Sequence, residues 1–156
     1  MTDSNTDLDR LEDALASCLR VAKRPGYWEE FQRRAATDID RPAAAILLLL
    51  ERKPCQFQML VNLLGIEAPS VSRKVHELEN LGLIILQSAS DRRVRMLALS
   101  DSGKDLSRRL KRAKRAVLGD VLAGWSTRER AQLINALEHL SVALSARFTT
   151  KGREKD

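Results

Sequence analysis

Apolar residues recur three and four apart from the start of the chain, at Leu8, Leu11, Leu15, Cys18 and Ala22. That spacing predicts an amphipathic helix with a narrow seam, the kind that pairs with another helix rather than sinking into a broad core. Asp9 follows Thr6 at the interval of a capping box, and Pro25-Gly26 is expected to end the helix. A short helix over about 27–36 comes next. Asp40 suits the N-cap of a third helix with Pro42 in its first turn, and the run Ala43–Leu50 is apolar on every side. A helix without a polar face has to be central. Lys53-Pro54 breaks the chain again, and Gln58–Leu64 predicts a short helix with Leu60, Val61 and Leu64 inward, stopped by Gly65.

Four residues later Pro69 opens a helix whose inward positions are Val71, Val75 and Leu78, ending at Leu81-Gly82. Helix, tight glycine turn, helix is helix-turn-helix spacing. Leu83–Leu86 and Val94–Leu99 then read as two strands joined by the polar stretch Gln87–Arg93, a hairpin with a basic tip. Ser100 suits the cap of a long helix with Leu106, Leu110, Ala113, Val117 and Val121 on one face and seven basic residues from Lys104 to Arg115 around the rest. Ser126 and Glu129 have the spacing of a capping box for a last helix, with the stripe Leu133, Leu137, Leu140, Leu144 and Phe148. Lys151–Asp156 reads as a frayed tail. No repeat or low-complexity segment interrupts the order.

Composition narrows the function classes. The 156 residues are 44% hydrophobic and 31% charged, with 7 Gly and 4 Pro, which excludes a wholly disordered chain and favours helices over a sandwich. The first residues are acidic with no apolar stretch behind them, and two cysteines cannot make a disulfide framework. A cytoplasmic protein with reduced thiols and no membrane span is expected. The net charge of +6 is unevenly placed: residues 1–52 carry −2, residues 53–99 carry +2 and residues 100–156 carry +6. That gradient fits a chain whose later parts meet phosphate, although a basic solvated surface is equally compatible with it.

From Pro69 to Ile84 the sequence reads PSVSRKVHELENLGLI, and from Asp91 to Gly103 it reads DRRVRMLALSDSG. These stretches, with long helices on either side, resemble the MarR family of bacterial transcription regulators. The resemblance implies a mainly α fold with a small β-hairpin wing, a winged helix-turn-helix at about 40–100 inside a single domain over 1–156. It also implies dimerisation helices at about 6–36 and 126–148, joined to the rest by a long helix over 101–125. A homodimer on an inverted-repeat operator would place one recognition helix in each major groove and a wing beside it, with Arg93 as minor-groove arginine and Asp91 its organiser. The wing is about one residue shorter than the family norm, and Ile85-Leu86 replaces a pair that is commonly charged.

The residue chemistry is consistent with this. Ser70, Ser72, Arg73 and Lys74 fall on the outward side of the helix from Pro69, where an arginine fork suits guanine and hydroxyls suit phosphate. Arg92, Arg93 and Arg95 on the hairpin, with Asp91, suit a narrow minor groove, and Arg108 a backbone phosphate. The simpler alternative for Arg73 is an ion pair with Glu77 on a solvated face. Leu8, Leu11, Leu15, Leu133, Leu137, Leu140, Leu144 and Phe148 are the expected dimer contacts, and Cys18 on the same seam is expected to be packed and unreactive. Tyr27, Trp28 and Phe31 are core or the lining of a cavity for a small apolar or aromatic effector. His76 and His139 lie on different helices, so no metal or other cofactor is expected, and no catalytic constellation appears. Double-stranded DNA and a second copy are the expected partners of a ligand-responsive repressor. The alternative is a winged-helix module that binds protein or RNA without reading DNA.

Overall fold

Asp40 accepts the amide of Ala43 at 2.9 Å and so starts the helix on which the others are assembled. A computed structural model describes residues 3–88 and 95–148. In chain order it holds α1 (Asp3–Ala22), α2 (Pro25–Ala35), α3 (Arg41–Arg52), α4 (Phe57–Leu64), α5 (Ala68–Asn80), β1 (Ile84–Ser88), β2 (Arg95–Leu99), α6 (Asp101–Val121) and α7 (Thr127–Phe148). The fold is mainly α with one two-stranded antiparallel hairpin. The chain divides into two units after Val117, and no helix among the described residues is long and apolar enough to cross a membrane.

In the first unit α3 packs against α4, α5 and β2. Its Ala43, Ala44, Ile46, Leu47 and Leu50 are buried, and Ala45, Leu48 and Leu49 are half-buried, as a helix without a polar face requires. Leu60 of α4, Val71, Val75 and Leu78 of α5, Ile84 and Leu97 of the hairpin, and Leu106, Leu110, Ala113 and Val117 of α6 complete one apolar cluster. Val121, the last member of the stripe expected on α6, is 65% exposed. The hairpin pairs Ile84 with Leu99 through to Ser88 with Arg95. Cys55 adds a third rung by exchanging both backbone hydrogen bonds with Leu97, at 3.1 and 2.8 Å.

Several boundaries differ from the sequence reading for identifiable reasons. Helix α1 begins at Asp3, which places Thr6 inside the helix rather than at its N-cap. Helix α1 ends at Ala22, just ahead of Pro25-Gly26 as expected, but the same pair also opens α2 two residues earlier than the sequence reading places it, because proline's missing N–H costs nothing in a first turn. Helix α5 starts one residue before Pro69, with Glu67 at the N-cap but no side-chain cap bond. The two expected serine caps do form. Ser100 Oγ accepts from the Gly103 amide at 3.0 Å, and Ser126 and Glu129 exchange capping-box bonds at 3.2 and 2.8 Å.

Ser100 also ties the hairpin to α5: its Oγ donates to Gly82 O at 2.6 Å and its amide donates to Leu83 O at 3.1 Å. This brings the first turn of α6 hard against the chain leaving α5. A Cβ at Gly103 would collide with the Leu83 carbonyl, which is backbone and cannot swing aside. Gly103→Ala should therefore destabilise the protein by about 1–3 kcal/mol, the usual cost of overpacking. Gly26→Ala, with open space around its position, should be neutral or stabilising by up to about 1 kcal/mol. Urea unfolding of the two variants checks the contrast.

Candidate nucleic-acid interface

The α4–α5 turn depends on Gly65, whose φ of 64° is costly for residues with a Cβ. Its amide closes α4 on Val61 O at 3.0 Å, and three residues later α5 begins. Burying Val71, Val75 and Leu78 leaves Ser72, Arg73, His76 and Glu77 exposed and Ser70 and Lys74 half-buried. Arg73 makes only a long 3.5 Å contact with Ser70 Oγ. The alternative pair of Arg73 with Glu77 does not form; Glu77 pairs with Lys74 at 2.6 Å. The guanidinium of Arg73 is thus available on the outward face of α5.

Lys74 is held from two sides, with its Nζ also 2.6 Å from Asp40 Oδ2. Asp40 first, then Glu77, raises the ammonium above the ordinary lysine value of 10.5. While Asp40 and Glu77 are ionised, a raised lysine value means this stabilisation is complete below 10.5 and is lost as the pH climbs through the higher folded value. Asp40 thereby joins α3 to α5 while capping α3. One residue on, Arg41 donates to Ala22 O and to Arg24 O, the latter at 2.8 Å, and stands 6.0 Å and 5.8 Å from the rings of Tyr27 and Trp28. Sequence reading assigned Asp40 its cap, but the link to Lys74 spans 34 residues and leaves no local signal. Nor did it find Arg41, although a cation directly after a helix-capping acid and before a proline was there to be noticed.

Of the hairpin residues, Arg95 is exposed at the start of β2. Asp91, Arg92 and Arg93 lie outside the described residues. The basic belt of α6 is less open than its sequence implies. Lys104 pairs with Asp101 at 3.0 Å, Arg108 and Arg109 pair with Asp105 at 3.5 and 3.3 Å, and Lys111 pairs with Glu51 at 2.7 Å. Arg109 also donates to Ala35 O at 2.6 Å and Ala36 O at 2.8 Å, closing the end of α2 where Ala36 holds a left-handed φ of 48°. It is a structural residue rather than a candidate phosphate contact.

Tyr27 and Trp28 meet Phe31 with ring centroids 5.0 and 5.7 Å apart. All three wall a cavity of about 270 Å³, Phe31 the most buried of them, together with Ala44, Leu48 and Leu110 and the cations Arg41 and Lys114. Core and cavity are thus the same cluster. In the single chain Leu8, Leu11 and Leu15 of α1 are exposed, and so is Cys18 on the same seam. No residue of α7 is buried; Leu137, Leu144 and Phe148 are exposed and Leu133 and Leu140 half-buried. Burial raises the thiol of Cys55.

Residues 37–94 match the family model for the MarR family. Among solved structures, the chain is similar to a probable transcriptional regulator from Pseudomonas aeruginosa, at 26% identity over 83% of this chain and 98% of that one, with a TM-score of 0.64. It is similar also to Streptococcus pneumoniae FabT in complex with DNA, at 23% identity over 89% and 98%, with a TM-score of 0.71. A MarR transcriptional regulator from Methanosarcina mazei Go1 shares 20% identity over 86% and 96%, with a TM-score of 0.71.

The two roles of Asp40 separate by substitution. Asp40→Ala removes cap and tether together and should cost about 0.5–2 kcal/mol through the cap alone. Asp40→Ser keeps a capping oxygen but cannot reach Lys74, so the urea midpoint should fall less while amide exchange in α5 rises as much as in Asp40→Ala.

Proposed function

We propose that the chain is a MarR-family winged-helix protein and a DNA-binding transcription regulator, acting as a homodimer on an inverted-repeat operator; residues 37–94 match the family model. The observation that carries the reading is the two-sidedness of α5, whose Val71, Val75 and Leu78 are buried while Ser72 and Arg73 are exposed, Arg73 with no ion pair among the described residues. A helix fixed on one side and presenting an uncommitted guanidinium on the other suits entry into a major groove. FabT, similar in fold, was solved in complex with DNA. Ser70, Ser72 and Lys74 support Arg73 as neighbouring phosphate contacts, Lys74 only after yielding part of its bond to Glu77. Arg92, Arg93 and Arg95 of the hairpin, with Asp91, are assigned to the minor groove by sequence, and Arg108 to a flanking phosphate.

The exposed stripes of α1 and α7 support dimerisation. A lone chain showing Leu8, Leu11, Leu15, Leu137, Leu144 and Phe148 to water carries more apolar surface than a soluble monomer keeps. A second copy covering both stripes would also bury Cys18. Repression released by a ligand is the form of regulation we favour. The aromatic cavity suits a small apolar or aromatic effector, and its Arg41 adjoins Asp40, which holds Lys74. An effector that displaces Arg41 would act on the N-terminus of α3 and through it on α5.

Two measurements test the reading. Light scattering should give a dimer of the 17.5 kDa chain, and Leu140→Asp should lower both dimer content and melting temperature; a stable folded monomer at micromolar concentration removes the dimer. On a panel of operator variants, Arg73→Ala should cost about 1–3 kcal/mol and relax preference at one base position per half-site. Arg93→Ala should instead weaken binding to all variants. Equal loss on every sequence for Arg73→Ala would mean that α5 reads no bases, and an interaction module would take precedence.

A further inference from the structure

A second basic feature lies at the foot of the hairpin. An open cavity of about 470 Å³ has apolar walls from Leu50, Pro54, Ala98 and Leu99 and a rim of four cations. Arg52 and Lys53 come from the end of α3, and Lys104 and Arg108 from the first turns of α6. Glu51 is the acid at this rim, and Lys111 holds it at 2.7 Å. Asp101 and Asp105, which pair with Lys104 and Arg108, do not line the cavity, and exposed pairs of this spacing are weak. Arg52 and Lys53 take no ion pair among the described residues.

Each cation has an ordinary account taken alone. Arg52 stands in the last turn of α3, where a positive charge favours the terminal carbonyls, and Lys104 and Arg108 continue a solvated helix face. Those accounts do not explain why two helices distant in sequence bring four cations around one concave, apolar-walled volume. Gathering like charges is unfavourable until an anion joins them. A flat basic ridge would suit a duplex backbone, whereas this volume falls within the range of small-molecule sites. The guanidinium of an arginine matches phosphate oxygens two at a time, an ammonium serves as a point charge, and the walls suit a carbon skeleton.

We propose that this cavity binds a small phosphorylated molecule, with Arg52, Lys53, Lys104 and Arg108 on its phosphate and Leu50, Pro54, Ala98 and Leu99 against the rest. Gln87 of β1 lines the same volume. The occupant therefore touches α3, both strands of the hairpin and α6, and a bound phosphate would fix the foot of the wing against the helices. This site shares no residue with the aromatic cavity; it shares Arg108 with the proposed DNA contacts, and its other three cations are assigned to no DNA contact.

The test uses the full chain without DNA. Isothermal titration at constant ionic strength with pyrophosphate and with adenosine triphosphate as probes should show saturable binding of one equivalent per chain. Arg52→Glu and Lys104→Glu, on different helices, should each weaken it about tenfold or more, the scale of one charge-assisted hydrogen bond lost. Unchanged melting temperatures of the unliganded variants establish that they fold. Absence of saturable heat with both probes, or equal affinity in the variants, overturns the proposal. A parallel anisotropy titration with a random-sequence duplex separates the other source of phosphate. If both variants lose duplex affinity while neither probe binds the wild type, the cavity is a backbone contact and the small-ligand proposal fails. If no duplex binds but pyrophosphate does, the regulator reading fails and this site stands.

Discussion

One carboxylate carries two elements of the first unit. Asp40 Oδ1 receives the amide that begins α3, and Oδ2 receives Lys74 from α5. The cap fixes where the central helix starts, and the ion pair links that start to the helix whose outward face is proposed to read DNA. Glu77 is paired with Lys74, and Arg73 makes no ion pair with it. The anchored lysine and the outward arginine therefore stand side by side on α5. A lysine in this position combines two functions that a purely solvated residue would keep apart, fixing α5 and placing a positive charge beside Arg73.

Local chemistry was legible in the sequence where it is satisfied within a few residues. The apolar run of α3, the buried triad of α5, the Gly65 turn and the Ser100 and Ser126 caps all arise from neighbours three or four positions away. What was not legible lies in contacts with distant elements. Pro25-Gly26 does both things proline can do, stopping one helix and supplying the first turn of the next, and only the packing of α2 fixes where that next helix starts. The contacts across 34 and 73 residues, Lys74 with Asp40 and Arg109 with Ala36, have no periodicity to announce them.

Charge was the least transferable reading. The last third of the chain carries most of the excess basicity, yet on α6 a large part of it is committed to acids on the same helix, to Glu51 and to the carbonyls that end α2. Counting cations overstates what remains for a phosphate. What discriminates is whether a cation has a partner and whether several uncommitted ones surround a single volume. By that measure Arg73 and the rim around Arg52 and Lys53 stand out, while Arg109 withdraws.

The apolar surface supplies the complementary argument. Within the first unit the core is closed by α3, α5, the hairpin and α6, and it does not require the outer stripe of α1. In the second unit α7 has no buried residue, although its apolar positions recur along its whole length. Leucines kept at helical spacing on faces the chain itself leaves in water call for a covering surface of matching shape, since exposure of that extent is unfavourable at roughly 25 cal/mol per Å². In the proposed homodimer a second copy would satisfy this with the same sequence on both sides, each stripe presented twice about one axis. Two-fold pairing would in turn present α5 twice, which is the geometric condition for reading an inverted repeat. Assembly and recognition would then arise from one arrangement, with the α5 surface set by Asp40 and its spacing set by the stripes that the single chain leaves uncovered.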